Sequence, residues 1–398
     1  MPEYFEERFL DTEILAQIRS LLNTTRSAFG EFVAEGMRIQ SGWTFPYNLD
    51  PVFVNQSVDN GGSIIHSGSF AVLSSGTDPA GEAGISTKRA LSYTPGVGAF
   101  ATFTAVFGTP QEGCKQIIGI GNHTDGWFFG YDGLRFGILR INNGNEYWTY
   151  QENWNIDKKP DTELIPQRGN VYRIDFQWLG FGAQYFSIED KKGRISQVHR
   201  IDYANKFYDV SVQNPSLPIS ARVVNSGNTT NVELKTPSAM AGSYGSIDSS
   251  AFEFPVAFDQ QDKVIVAGVE TYLFSIRNPT DFLTKANRLF LIPHLYTYAS
   301  QGTKSVVIRV YFGATPTAPS WVDLVPGVTP MQYDISATGF STVGSIKVLT
   351  LTLGTVDRDR IDLSSMRALL SPGSMITVTA LSSNGSEITS GLTFKSRV

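Results

Sequence analysis

Residues 126–140 read GWFFGYDGLRFGILR, and residues 171–189 read VYRIDFQWLGFGAQYFSIE. Both alternate bulky apolar residues with small or polar ones, the period-two pattern of a strand with one buried face. Glycine punctuates both, where strands must turn or pack closely. In the first stretch Phe128 and Phe129 lead in, Asp132-Gly133 turns the chain, and Phe136, Ile138 and Leu139 return. That order predicts a β-hairpin. Blocks of this kind build β-sandwiches whose loops and faces contact other surfaces.

Outward from this block the character persists. Turn chemistry recurs at Asp59-Asn60-Gly61-Gly62, Asp78-Pro79, Pro95-Gly96 and Asn142-Asn143-Gly144. Glycine, asparagine and proline there supply the backbone angles that turns need. Short strands are predicted at 70–74, 100–107, 116–120, 183–189, 195–201, 219–225 and 229–235, a spacing that reads as a sandwich or jelly roll. Residues 237–250, PSAMAGSYGSIDSS, are small and polar and read as a linker. Beyond it, VVIRVYF from Val306 and VLTLTL from Val348 alternate well and mark a second β domain. Pro255, Pro279, Pro293, Pro316, Pro319, Pro326 and Pro372 are expected between its strands, at edges or in loops.

One helix is predicted, at the N-terminus. Asp11 is placed to cap it, and Ile14, Leu15, Ile18, Leu21 and Leu22 follow at helical spacing. This apolar stripe is too short for a sustained coiled coil and is expected to dock the chain in an assembly. The expected fold class is all-β, with two jelly-roll β-sandwich domains and a short N-terminal α-helix. The expected division is a docking segment over 1–41, a first sandwich over 42–240 and a second over 251–398.

Composition narrows the function. Charged residues make up 17% of the 398, below the roughly 25% usual in soluble domains. The 26 Phe and 16 Tyr against 6 Met fit a β-rich chain. Low charge and surplus aromatics predict a homo-oligomer, in which such faces are covered. A net charge of −5 with no basic stripe argues against nucleic acid as a partner. Cys114 is the only cysteine, so no intrachain disulfide and no cysteine metal cage can form. The opening MPEYFEERFLD has neither the basic nor the apolar part of a signal peptide, so synthesis in the cytoplasm is expected. No apolar run approaches the roughly 18 residues of a membrane-spanning helix, and no membrane insertion is expected.

Catalytic constellations are hard to find. His66, His123, His199 and His294 lie far apart, and none belongs to an HExxH pattern. His123-Thr124-Asp125 reads as a loop. Asp357, Asp359 and Asp362 are interleaved with Arg358 and Arg360, which neutralise them as calcium ligands. Glu189 and Asp190 are adjacent, so on a strand they would point to opposite faces, and Asp190-Lys191-Lys192-Gly193 reads as a hairpin turn. No catalytic residue, cofactor or metal site is assigned, and the chain is expected not to be an enzyme. The remaining candidate is aromatic: Trp127, Tyr131, Tyr147, Trp148, Tyr150 and Trp154 crowd into 28 positions, with Gln151, Glu152 and Asn153 among them. Such rings serve either as core or subunit contact, or as a platform on which sugar faces stack.

Four segments also carry a family resemblance. They are STKRALSYTPGVGAFATFTAVF (86–107), GWFFGYDGLRFGILR (126–140), NVYRIDFQWLGFGAQYFSIED (170–190) and NPSLPISARVVNSGNTTNVELK (214–235). Together they resemble a module of virion structural proteins of tailed bacteriophages, over roughly residues 60–245. The resemblance implies a lectin-like sandwich in a structural component of the virion, on tail, baseplate, fibre or capsid. It would mediate assembly and host attachment. The implied partners are other virion proteins and further copies of the chain, a trimer if it belongs to a fibre or spike. No residue role carries over. The alternative is a receptor-binding protein that grips host surface glycans through the 127–154 aromatics. A third reading is a depolymerase of surface polysaccharide.

Overall fold

The structure is a computed structural model that describes residues 36–51, 53–159, 164–244, 253–283, 285–287, 290–302, 305–363 and 370–397. The stripe Ile14, Leu15, Ile18, Leu21 and Leu22 lies outside the described residues. Within them the chain is all-β, and helix is confined to one 3-10 turn at Gln151–Asn153. Contacts divide the chain into two compact units, Met1–Ile247 and Asp248–Val398.

The first unit begins with β1 (Met37–Thr44), β2 (Val54–Asp59), β3 (Ser63–Ser67), β4 (Phe70–Ser74), β5 (Glu82–Thr87) and β6 (Ala99–Ala105). Next come β7 (Cys114–Gly121), β8 (Gly126–Asp132), β9 (Arg135–Asn142) and β10 (Asn145–Tyr150). It ends with β11 (Asn170–Phe176), β12 (Gln184–Glu189), β13 (Ile195–Ile201), β14 (Ile219–Asn225), β15 (Glu233–Thr236) and β16 (Ser238–Tyr244). A six-stranded sheet runs β1-β16-β6-β11-β12-β13, and a seven-stranded sheet runs β10-β9-β8-β7-β14-β5-β2. A three-stranded sheet, β15-β4-β3, completes the unit.

Alternation along β8 explains the core. Trp127, Phe129 and Tyr131 point inward and are at most 5% exposed. Phe129 is a hub, with ring centroids 5.0 Å from Tyr172, 5.7 Å from Phe186, 6.2 Å from Trp154 and 6.3 Å from Phe103. Burying each such side chain is worth about 1.5–3 kcal/mol. The aromatic surplus that suggested self-association is thus largely absorbed by this core. Cys114, at the start of β7, belongs to it, and burial pushes its thiol up to about 11.

Two expectations change here. The first sandwich starts at Met37, before position 42, because β1 pairs along its length with β16. Half of the expected linker is β16 itself, held between β1 and β6. Its residues are small because the neighbours are close: a Cβ on Gly242 would stand 2.2 Å from the Arg38 carbonyl oxygen.

The second unit has a four-stranded sheet ordered Glu253–Ile265, Ser386–Arg397, Phe290–Gly302 and Val356–Asp362, and a six-stranded sheet that includes Thr271–Arg277, Met375–Ser382 and Val306–Phe312. Val306, Ile308 and Val310 point into its core, as the alternation requires. Pro255 sits on an edge strand, but Pro293 lies inside an interior one, which corrects its expected place between strands. The register shifts between Pro293 and Leu295, the kind of bulge that accommodates a residue without an N–H. The acidic run Val356–Asp362 is the edge strand of the four-stranded sheet.

Candidate functional site

Strand parity splits the aromatic block. Trp127, Tyr131 and Trp154 are core residues, exposed by 0%, 5% and 2%. This removes them as glycan or subunit contacts. Trp154 is carried inward by the 3-10 turn, and its indole N–H donates to the Thr149 carbonyl at 3.2 Å. On β10, Trp148 pairs with Leu139 and Tyr150 with Gly137, which places both on the outer face of the seven-stranded sheet. Tyr147 pairs with Arg140 and so belongs to the opposite side of the same edge strand.

That outer face is strongly curved. Lys115 stands in register with Asp132 and Arg135, whereas Glu146 stands in register with Ile141, Gly126 and Gly121. In a flat sheet the two would be six residues apart along the strands, about 20 Å, and three strands apart, about 14 Å. Yet Lys115 Nζ lies 2.6 Å from Glu146 Oε1. The sheet must therefore twist and curl to bring these corners together. Glycines permit it. A Cβ at Gly119, Gly130 or Gly137 would fall 2.2, 2.0 or 2.7 Å from a carbonyl oxygen of the neighbouring strand. Within the curl, Ile117, Phe128, Leu139 and Ile141 form a small second cluster on the outer face, and Trp148 packs against it.

Polar groups frame the two outward rings. Trp148 and Tyr150 are nearly parallel, 6° apart, with centroids 6.0 Å apart. The Tyr150 hydroxyl donates to Asp132 Oδ2 at 2.9 Å, and the Arg135 guanidinium lies 3.4 Å from the Tyr150 ring centroid. Arg135 in turn pairs with Glu152. Glu146 accepts from the Trp148 indole N–H at 3.4 Å. Further along the face, Arg222 on β14 pairs with Glu82 on β5 at 2.9 Å. Partial desolvation and then the Arg222 charge lower the His123 imidazole below its ordinary value, with Glu82 opposing.

The other candidates take structural roles. His199 on β13 is 6% exposed, and its Nδ1 accepts from the Asn155 backbone N–H at 3.2 Å. Burial lowers its imidazole to about 4 against an opposing pull from Asp202. His66 contacts the Phe45 carbonyl at 3.0 Å. Asp190 ties the β12–β13 turn, accepting from the N–H groups of Lys192 and Arg194 at 2.8 and 3.0 Å. Among the described residues no three His, Cys, Asp or Glu side chains gather closely enough to hold a metal ion. Parity along β10 is legible in sequence. The inward turn of Trp154 is not, because it depends on the 3-10 turn before it.

No protein-family model matches the sequence, and no curated protein sequence does. Solved structures do match, and those named here do so at low identity. An endo-acting O-glycanase of the human gut microbiota is 11% identical, covering 52% of this chain and 99% of its own, with a TM-score of 0.37. Peanut lectin is 10% identical over 52% of this chain and 97% of its own, TM-score 0.34. A β-1,3-glucanase from Mycobacterium marinum is 12% identical over 51% and 98%, TM-score 0.34. Likeness at this level assigns no activity to this chain. With glycan-cleaving enzymes as well as a lectin among the matches, however, the expectation that the chain is not an enzyme does not stand and is withdrawn. The matches lend the phage-virion resemblance no support.

Proposed function

We propose that the first unit binds glycan on the outer face of its seven-stranded sheet, at Trp148 and Tyr150. The observation that carries this reading is the pair of near-parallel, half-buried rings facing outward, 6.0 Å apart, among charged side chains. A sugar ring offers C–H bonds to a π face and hydroxyls to its rim, and this arrangement meets both. Tyr150 is fixed on two sides, by Asp132 at its hydroxyl and Arg135 over its ring, so little freedom is lost on binding. Asp132, Arg135 and Glu146 supply acceptors and a donor at the rim.

A glycan array followed by titration calorimetry tests it. The unmodified chain is expected to bind at least one class of oligosaccharide. Trp148→Ala and Tyr150→Ala should each weaken that binding about 30-fold, the effect of truncating a central aromatic anchor by about 2 kcal/mol. Reducing-end release in the same mixtures reads cleavage, with Asp132 and Glu146 as the carboxyls to substitute if it occurs. Unchanged affinity in both variants would remove the site. The phage virion as setting, self-association, and docking through the N-terminal stripe are carried as proposals on the sequence alone.

A further inference from the structure

The inward side of β9, next to edge strand β10, carries a buried cation. Arg140 stands in register with Tyr147 and Trp127 and is only 8% exposed. Its guanidinium carbon lies 4.1 Å from the Tyr147 ring centroid and 5.5 Å from that of Tyr203. Nη1 donates to the Ser211 carbonyl at 2.8 Å. Among the described residues no carboxylate pairs with it, and Asp202 of the adjoining segment is taken by Arg200 and Lys206. Two π faces, one carbonyl and the Tyr203 hydroxyl are neutral partners, and they offset only part of what it costs to bury a guanidinium.

Two further observations fall at the same place. Exposed rings gather around it: Tyr147 is 49% exposed, Phe207 48% and Phe181 39%. Phe207 stacks on Tyr203 with centroids 4.3 Å apart, and Phe181 lies 6.3 Å from the same ring. The segment that accepts from Arg140 also holds Ser211 Oγ, buried and without a hydrogen-bond partner among the described residues. Asn142, which donates to the Val210 carbonyl at 3.0 Å, likewise leaves its own buried Oδ1 unpartnered.

We propose that this is a subsite for an acidic sugar, a carboxylated pyranose whose carboxylate pairs with Arg140 while its ring lies against the exposed aromatics. A planar carboxylate matches the guanidinium fork and supplies the missing counter-charge. The two unpartnered oxygens are acceptors for sugar hydroxyls. Tyr147, exposed on the edge strand, is the side chain that yields to admit the ligand. The proposal rests on the glycan reading above. Because β10 is an edge, one extended oligosaccharide can cross from Trp148 and Tyr150 to this side.

The test compares an oligogalacturonate with its neutral methyl ester by titration calorimetry on the full chain, with Arg140→Met and Trp148→Ala as variants. The acid is expected to bind at least 10-fold tighter than the ester. Arg140→Met should bring the acid down to the ester's affinity and leave the ester unchanged, whereas Trp148→Ala should weaken both alike. Equal binding of acid and ester, or an acid preference that survives in Arg140→Met, overturns the subsite while ester binding still supports the glycan reading. Absence of binding by either ligand overturns both for this class of sugar. The comparison of acid with ester needs no variant, so it decides the matter even where Arg140→Met does not fold.

Discussion

Phe129→Ala is expected to destabilise the first unit by about 3–5 kcal/mol, the cost of emptying a large aromatic site in a packed core. The site should be at the upper end of that range. Phe129 is 0% exposed and touches rings from four other segments, Phe103, Trp154, Tyr172 and Phe186, which cannot all move in to fill the space. For a unit of this size the loss corresponds to a fall in melting temperature of roughly 6–20 °C. Intrinsic fluorescence should follow it well, since Trp43, Trp127, Trp148, Trp154 and Trp178 all lie in that unit. A shift under 2 °C would show that Phe129 is not the hub that its contacts describe.

Acid should destabilise the same unit through His199. Its imidazole is depressed from 6.5 to about 4 in the folded chain, chiefly by burial. The unfolded chain therefore binds the proton first as pH falls. Above 6.5 neither state is protonated and the group costs nothing. Between 6.5 and 4 the unfolded state gains a proton that the folded state refuses, so stability falls with pH. The loss is complete below about 4. At pH 4.5 it should amount to about 2–3 kcal/mol, at about 1.4 kcal/mol per pH unit of mismatch. Urea denaturation at pH 7 and pH 4.5 measures it, with His199→Gln as the control that lacks the effect. If the two proteins lose the same stability on acidification, the burial of His199 is not what governs it.

Much of the fold is legible in the chain because short strands and their turns are local. The Asp132-Gly133 hairpin needs only its own residues, and so does the turn tied by Asp190. What fails is whatever depends on a distant neighbour. Residues 238–244 look like linker because they are small and polar. They are small because β16 lies between two strands that come from residues 37–44 and 99–105, and only that packing excludes larger side chains. Pro293 defeats the rule that proline avoids interior strands, because a bulge absorbs it. The candidate site was half visible. Trp148 and Tyr150 are two apart and share a face, but nothing local distinguishes them from Trp127 and Tyr131, which share a face of the same kind on the wrong side. Arg140 left no signal at all. In GILRIN it occupies an inward position by parity, and a single cation among apolar residues reads as an ordinary strand residue until the structure shows that no carboxylate meets it.

The lone thiol of Cys114 turns the first unit into its own clock. It is 2% exposed, and with its acidity shifted to about 11 only about one molecule in ten thousand carries a thiolate at neutral pH. Thiol reagents are therefore expected to label the native chain at the rate at which β7 comes away from the core, and much faster once urea has opened it. Labelling followed by mass spectrometry reads that rate without any engineered probe, since the sequence holds no second cysteine to confuse it. Rapid labelling under native conditions would mean that the amino-terminal end of β7 frays independently of the sandwich.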